Sequence, residues 1–365
     1  MQMEQKQKIS TLQAIILVVQ SIMPTAVLVV PSIAIGAASQ DAWISIVLAW
    51  VFGVVLALLF GSICMRNPGV PFLTLLENKL GRTVSIITGI LLAQYYLATT
   101  ASILRESVNF ISEQFLTKTP VIVLAAVSLI VVIYAVSHGI EVIARISIIV
   151  FMGAIHFLAI YVVLQLNQID LKYLFPIAES GISRIIQGGL PPYGWFSEAA
   201  FLLLLSPYLN KPGHSRAIGV LGVTIAGGQL LVIVLLVLFV FGPELPKMLS
   251  YPTFAITEIF LERIDILFIC IWIATMYMKL CIFFFGTVHC IVHLFRIRFE
   301  KPFLIVLGVL VLLTAIYSWP SNASISEHQE FTSFPFLFLV NALLPFALWI
   351  GLRWKGRNNL GSGGS

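Results

Sequence analysis

The sequence predicts an all-α integral membrane protein of ten transmembrane helices, arranged as two inverted sets of five, with the first helix of each set broken. Three observations lead there. The chain of 365 residues is 59% hydrophobic and only 10% charged, with a mean hydropathy of +1.01, a charge content too low for a water-soluble domain. Its charge-free runs are long enough to cross a hydrocarbon core. Two of its hydrophobic segments, the first and the sixth, carry helix breakers at matching places.

Eight runs free of Asp, Glu, Lys and Arg exceed the roughly 20 residues that a span needs: 9–40, 42–65, 83–104, 119–140, 146–169, 217–243, 302–326 and 331–352. Two more segments span if each keeps one charge inside, about 185–210 with Glu198 and 266–295 with Lys279. The first segment holds Met23-Pro24-Thr25 and Pro31, and the sixth holds Gly188-Gly189-Leu190-Pro191-Pro192-Tyr193-Gly194. A break in lipid strands backbone N–H and C=O groups, so it is tolerated where protein or a polar cavity takes them up. Breaks at corresponding places of two halves point to a small-molecule site near the bilayer midplane. Unwinding is expected near residues 24–26 and 191–194.

With the N-terminus in the cytoplasm, 14 Lys and Arg residues fall in inside loops and 6 in outside loops, with Lys279 in a span. This bias puts both termini inside. Residues 71–81 read as a short amphipathic helix at the cytoplasmic surface. Residues 170–187 and 252–263 read as outer caps, the second helical. Residues 1–355 form a single transmembrane domain, with inverted repeats at about 9–169 and 181–355. The tail 356–365 reads as flexible, and 361–365 as an appended linker.

Composition also excludes functions. The net charge of +5 is spread between apolar runs and is no nucleic-acid signal. Cys64, Cys270, Cys281 and Cys290 lie in apolar segments without a CxxC pair and read as small buried residues. His289 and His293 have i,i+4 spacing but no third ligand nearby, so no metal and no cofactor is expected. Glu141 and Arg145 are spaced for a local ion pair, and Arg105-Glu106 for the outer end of the third helix. There is no nucleotide loop or catalytic triad, so no enzyme is expected.

The candidate site follows from the breaks. A half-helix resuming near Thr25 and Ala26 offers free N–H groups and a positive dipole end to a carboxylate. A half-helix ending at Tyr193 and Gly194 offers carbonyls to an ammonium. Together these suit an α-amino acid. Glu198 follows one turn later and reads either as a site carboxylate or as a structural acid bonded to a neighbouring helix. Tyr95, in Gln94-Tyr95-Tyr96, reads as a cavity-lining tyrosine or as interhelical packing. Lys279 lies too deep to reach an interface easily and reads as a group beside the site or as one half of an ion pair, with Glu198 as a candidate partner.

The stretch Met23-Pro24-Thr25-Ala26-Val27-Leu28-Val29-Val30-Pro31, followed by Ala38-Ser39-Gln40-Asp41-Ala42-Trp43-Ile44-Ser45, resembles the opening of the permease-like B subunits of spore-germination receptors. Residues 71–82, Gly194-Trp195-Phe196-Ser197-Glu198 and Ser206-Pro207-Tyr208 carry the same likeness. That family lies in the amino acid–polyamine–organocation superfamily, which implies the inverted-repeat transporter fold. The resemblance implies a multi-pass protein of the endospore inner membrane. It also implies assembly with A and C subunits and recognition of a small germinant such as an amino acid. In sodium-coupled relatives of that fold a cation sits between helices one and eight, so Lys279 could replace it or carry a proton. One departure is Pro24, where the family usually has glycine. A proton-coupled amino acid transporter is the alternative, since receptor and transporter need the same pocket.

Overall fold

The structure is a computed structural model and describes residues 7–260, 264–297, 301–319 and 334–361. Among the described residues the chain is helical almost throughout, and its one β contact is an isolated parallel bridge between Ile9 and Leu209. Helix α1 (Thr11–Ala38) opens with a capping box, in which the Ser10 hydroxyl accepts from the Gln13 amide and Gln13 reaches back to the Ser10 N–H. Then come α2 (Ala42–Arg66), α3 (Phe72–Leu80), α4 (Arg82–Gln114), α5 (Val121–Ser137) and α6 (Ile140–Leu164). After a loop with two 3₁₀ turns the chain forms α7 (Ile182–Ser197), a 3₁₀ turn at Glu198–Ala200, and α8 (Phe201–Leu205). The rest is α9 (Ser215–Phe241), α10 (Pro252–Phe260), α11 (Ile264–Phe295), α12 (Lys301–Tyr317), α13 (Phe334–Phe338), a π segment at Leu339–Leu343, and α14 (Leu344–Gly361).

Six helical stretches among the described residues are long and apolar enough to cross a membrane, the first of them, Thr11–Arg66, joining α1 and α2. Helices α5 and α12 are shorter apolar helices. The chain is a multi-pass membrane protein. Helix α1 is its centre. It packs against α2, α6, α7, α9, α10 and α11 and buries residues on every side, as a helix surrounded by others must. Small residues set the close crossings. A Cβ on Gly61 would lie 2.5 Å from the Arg216 Cα at the start of α9, and one on Gly222 would lie 2.7 Å from Val18 of α1.

The expected unwinding at residues 24–26 does not occur, and α1 is helical through both Pro24 and Pro31. Each proline removes one donor without forbidding helical φ, and at Pro31 a neighbour supplies a replacement. Pro31 cannot donate to the Val27 carbonyl, and the Thr253 hydroxyl does so instead at 2.7 Å. The Trp272 indole N–H reaches the Pro24 carbonyl at 2.9 Å. No free helix N-terminus therefore opens at Thr25 and Ala26.

The sixth segment is likewise helical through Pro191, Pro192 and Gly194, and its irregular turn comes later, at Glu198–Ala200. Gly188 and Gly189 serve close packing: a Cβ on Gly188 would meet Ser45 Oγ at 2.9 Å and Ala38 Cβ at 3.1 Å. Ser45 also donates to the Ile185 carbonyl at 2.7 Å.

Other expectations sort cleanly. Helix α3 forms at 72–80 and buries Phe72, Leu73, Leu75 and Leu76, and α10 forms the cap helix after Pro252. Arg145 pairs with Glu141. Arg105 and Glu106, expected at the outer end of the third span, are buried within the protein, and α4 runs on past them to Gln114. Cys270 is exposed, unlike Cys64, Cys281 and Cys290. Helix α14 stays helical to Gly361, past the start of the expected flexible tail.

Candidate functional site

A buried polar network occupies the centre of the molecule where α1, α7, the Glu198 turn and α11 meet. The Lys279 ammonium lies 2.8 Å from Glu198 Oε2 and donates to Thr25 Oγ1 at 2.7 Å. The Trp195 indole N–H donates to the same threonine oxygen at 2.8 Å. Lys279 is 1% exposed, Thr25 3% and Glu198 4%, so the network is shut off from solvent. An isolated charge at that depth would cost several kcal/mol, and the opposite charge with added hydrogen bonds offsets it.

Each partner is placed by a local feature. Thr25 stands directly after Pro24, on the face of α1 turned to α7 and α11. Glu198 opens the 3₁₀ turn that ends α7. Lys279 lies midway along α11 and holds its ammonium 5.4 Å from the Phe283 ring centroid, a cation–π distance.

Aromatic residues of α4 close one side. Tyr95 packs edge-on against Tyr96 with centroids 4.8 Å apart and against Phe283 at 6.1 Å. The Tyr95 hydroxyl lies beside Thr99 and Asn341 and within electrostatic reach of Glu198. Asn341 is fully buried in the π segment and does not close a hydrogen bond of good geometry. Single π turns are frequent at functional sites.

Of the residues singled out from sequence, Thr25, Glu198, Lys279 and Tyr95 are thus brought together. Ala26 is buried in the core. Tyr193 and Gly194 are not part of the network. The Tyr193 ring stacks obliquely on Phe52 at 5.3 Å with its hydroxyl over Gly189, and the Gly194 carbonyl accepts from Ser197 Oγ at 2.6 Å. Because α7 is helical through both, they do not form the end of a half-helix. Sequence reasoning passed over Trp195 and Asn341. An asparagine inside the apolar run 331–352 was the available signal for the second.

Among the described residues, no group of three or more His, Cys, Asp or Glu side chains could hold a metal ion. His293 instead lies 4.0 Å from Glu77, which also pairs with Arg296 at 2.9 Å.

A family model described as "Spore germination protein" matches residues 8–323. The chain belongs to the spore germination protein family. Among its relatives is Spore germination protein KB of Bacillus subtilis (strain 168), 25% identical over 96% of this chain and 96% of that one. Spore germination protein B2 of the same organism is 21% identical over 95% of both. Solved structures share the fold. Mhp1, a nucleobase-cation-symport-1 family transporter in a closed conformation with bromovinylhydantoin bound, matches with a TM-score of 0.66 at 16% identity, over 92% of this chain and 75% of that one. A point mutant of the Eremococcus coleocola manganese transporter matches with a TM-score of 0.65 at 12% identity, over 94% of this chain and 78% of that one. The spore germination family therefore uses a transporter-type helical fold here.

Proposed function

We propose that this chain is the germinant-sensing, permease-like subunit of a bacterial spore germination receptor. It resides in the endospore inner membrane, binds a small nutrient near the midplane and signals to A and C partner subunits. The reading rests on one combination: a nearly full-length match to spore germination proteins in a chain whose buried centre holds one amine and one carboxylate 2.8 Å apart.

That pair suggests the ligand class. An α-amino acid carries both charges on adjacent atoms. Entering between Lys279 and Glu198, its carboxylate would take the lysine and its ammonium the glutamate, so neither buried charge loses its partner. Thr25, Tyr95 and Asn341 would then be its nearest uncharged neighbours. Exchanging an internal ion pair for two ligand contacts moves α11 against α7, and such differential contact is what biases a two-state bundle.

The architecture that goes with this reading has ten spans and both termini in the cytoplasm. Helices α1, α2, α4, α5 and α6 make one half. The α7–α8 pair, α9, α11, α12 and the α13–α14 pair make the other, inverted half. A proton-coupled amino acid transporter is the alternative, favoured by the buried carboxylate–amine pair and by the transporter-type fold.

The test is germination of spores that carry this chain against a panel of amino acids, sugars and nucleosides, alongside uptake of the active compound into sealed vesicles. The expected result is a response to one or a few amino acids that Thr25→Phe abolishes at normal protein level. A response to no member of the panel, or one untouched by Thr25→Phe, would overturn the assignment. Proton-driven uptake would establish the transporter instead.

A further inference from the structure

A partly open cavity lies on the other side of α1 from the Lys279–Glu198 pair, lined by α1, α6, α9, α10 and α11. Its volume is about 90 Å³, well above the ~10–15 Å³ that a single water needs. Most of its wall is apolar, from residues such as Met23, Phe157 and Ile233, and among the described residues no charged one lines it.

Two amides face into it. Gln20 of α1 is 2% exposed and, among the described residues, makes no side-chain hydrogen bond. Gln229 of α9 has a buried Oε1 without a partner among the described residues. Unpaired polar groups in an apolar interior cost free energy, and two converging on one space are what a ligand site requires. The cavity hydroxyls have already spent their protons. Tyr161 donates to the Thr253 carbonyl, Thr253 to Val27, and Thr275 to Trp272. What they still offer is oxygen lone pairs.

We infer that this cavity is a binding site for a small, uncharged, largely apolar molecule whose one polar end donates hydrogen bonds, read by Gln20 and Gln229. The lining compensates neither a carboxylate nor an ammonium, so a zwitterionic amino acid is excluded and belongs, if anywhere, to the central network. The two sites share α1 and α11. Trp272 walls the cavity and holds the Pro24 carbonyl, one residue before Thr25. Occupancy therefore bears on the α1 segment that carries Thr25, the acceptor of the Lys279 ammonium, without touching the ion pair. The site does not depend on the germinant-receptor reading.

Three probes of one branched skeleton test it on the purified full chain in nanodiscs: isobutyramide, isobutyrate and isobutylammonium, followed by saturation-transfer NMR. Isobutyramide should bind saturably and the two ions should not. Gln20→Leu, nearly isosteric, should weaken the amide about tenfold, the effect of one lost hydrogen bond of about 1.4 kcal/mol. Ala154→Phe, which fills the cavity, should abolish binding in protein shown by its melting curve to be folded. No saturable binding by the native chain, equal binding of the ions, or full binding in the folded Ala154→Phe or Gln20→Leu variants would each overturn the assignment.

Discussion

The Thr253 hydroxyl donates at 2.7 Å to the Val27 carbonyl, the acceptor that Pro31 leaves without its helical N–H four residues on. A side chain from α10 thus replaces the donor that Pro31 lacks, and α1 stays helical through it.

Removing that donor tests the point. Thr253→Val keeps the shape and should destabilise the protein by about 1–3 kcal/mol, the cost of an unsatisfied buried carbonyl. Thr253→Ser should recover most of it. Thermal melting in detergent is the measurement. A Thr253→Val protein as stable as the native one would show that the Val27 carbonyl needs no partner.

The central pair is tested by abundance. Lys279→Met and Glu198→Gln each leave a buried charge alone, and each should cost about 3–5 kcal/mol and lower the amount of protein in the membrane. The double variant removes both charges and should regain abundance while staying inactive. Two low singles and an equally low double would mean that packing, not charge, sets the loss.

Asp41 predicts a third outcome. Its fully buried carboxylate accepts from the Ala178 N–H at 2.7 Å and the Ser180 N–H at 2.9 Å, clamping the loop before α7. Asp41→Ala should lose about 1.5–3 kcal/mol for each charge-assisted bond and expose residues 175–181 to protease. Unchanged cleavage kinetics would remove Asp41 from this role.

Close helix packing gives the fourth. Gly61→Ala drives a methyl into the Arg216 backbone, at 2.5 Å from Cα and 2.7 Å from N, and should cost about 1–3 kcal/mol through overpacking. Gly89→Ala meets mainly the tip of Leu294 at 2.7 Å, a flexible side chain that can turn aside, and should be nearly neutral. Equal melting temperatures for the two variants would contradict the distinction between backbone and side-chain contacts.

The sequence by itself determined the membrane class, most span positions and the two charged residues at the centre. Hydropathy and charge are additive along a chain, and a lone Glu198 or Lys279 in an apolar run stands out without any neighbour being known. It also carried the family likeness through residues 23–31 and 38–45. Where the helices break was decided by the tertiary structure. A proline removes a donor locally, but whether the helix opens depends on what distant side chains bring to the stranded carbonyl, here Thr253 from α10 at Val27. The pairing of Lys279 with Glu198 and Thr25, separated by 81 and 254 residues, and the amides of Gln20 and Gln229 around one cavity arise from the same cause. They are distances between helices, and a one-dimensional pattern of polarity holds no term for them.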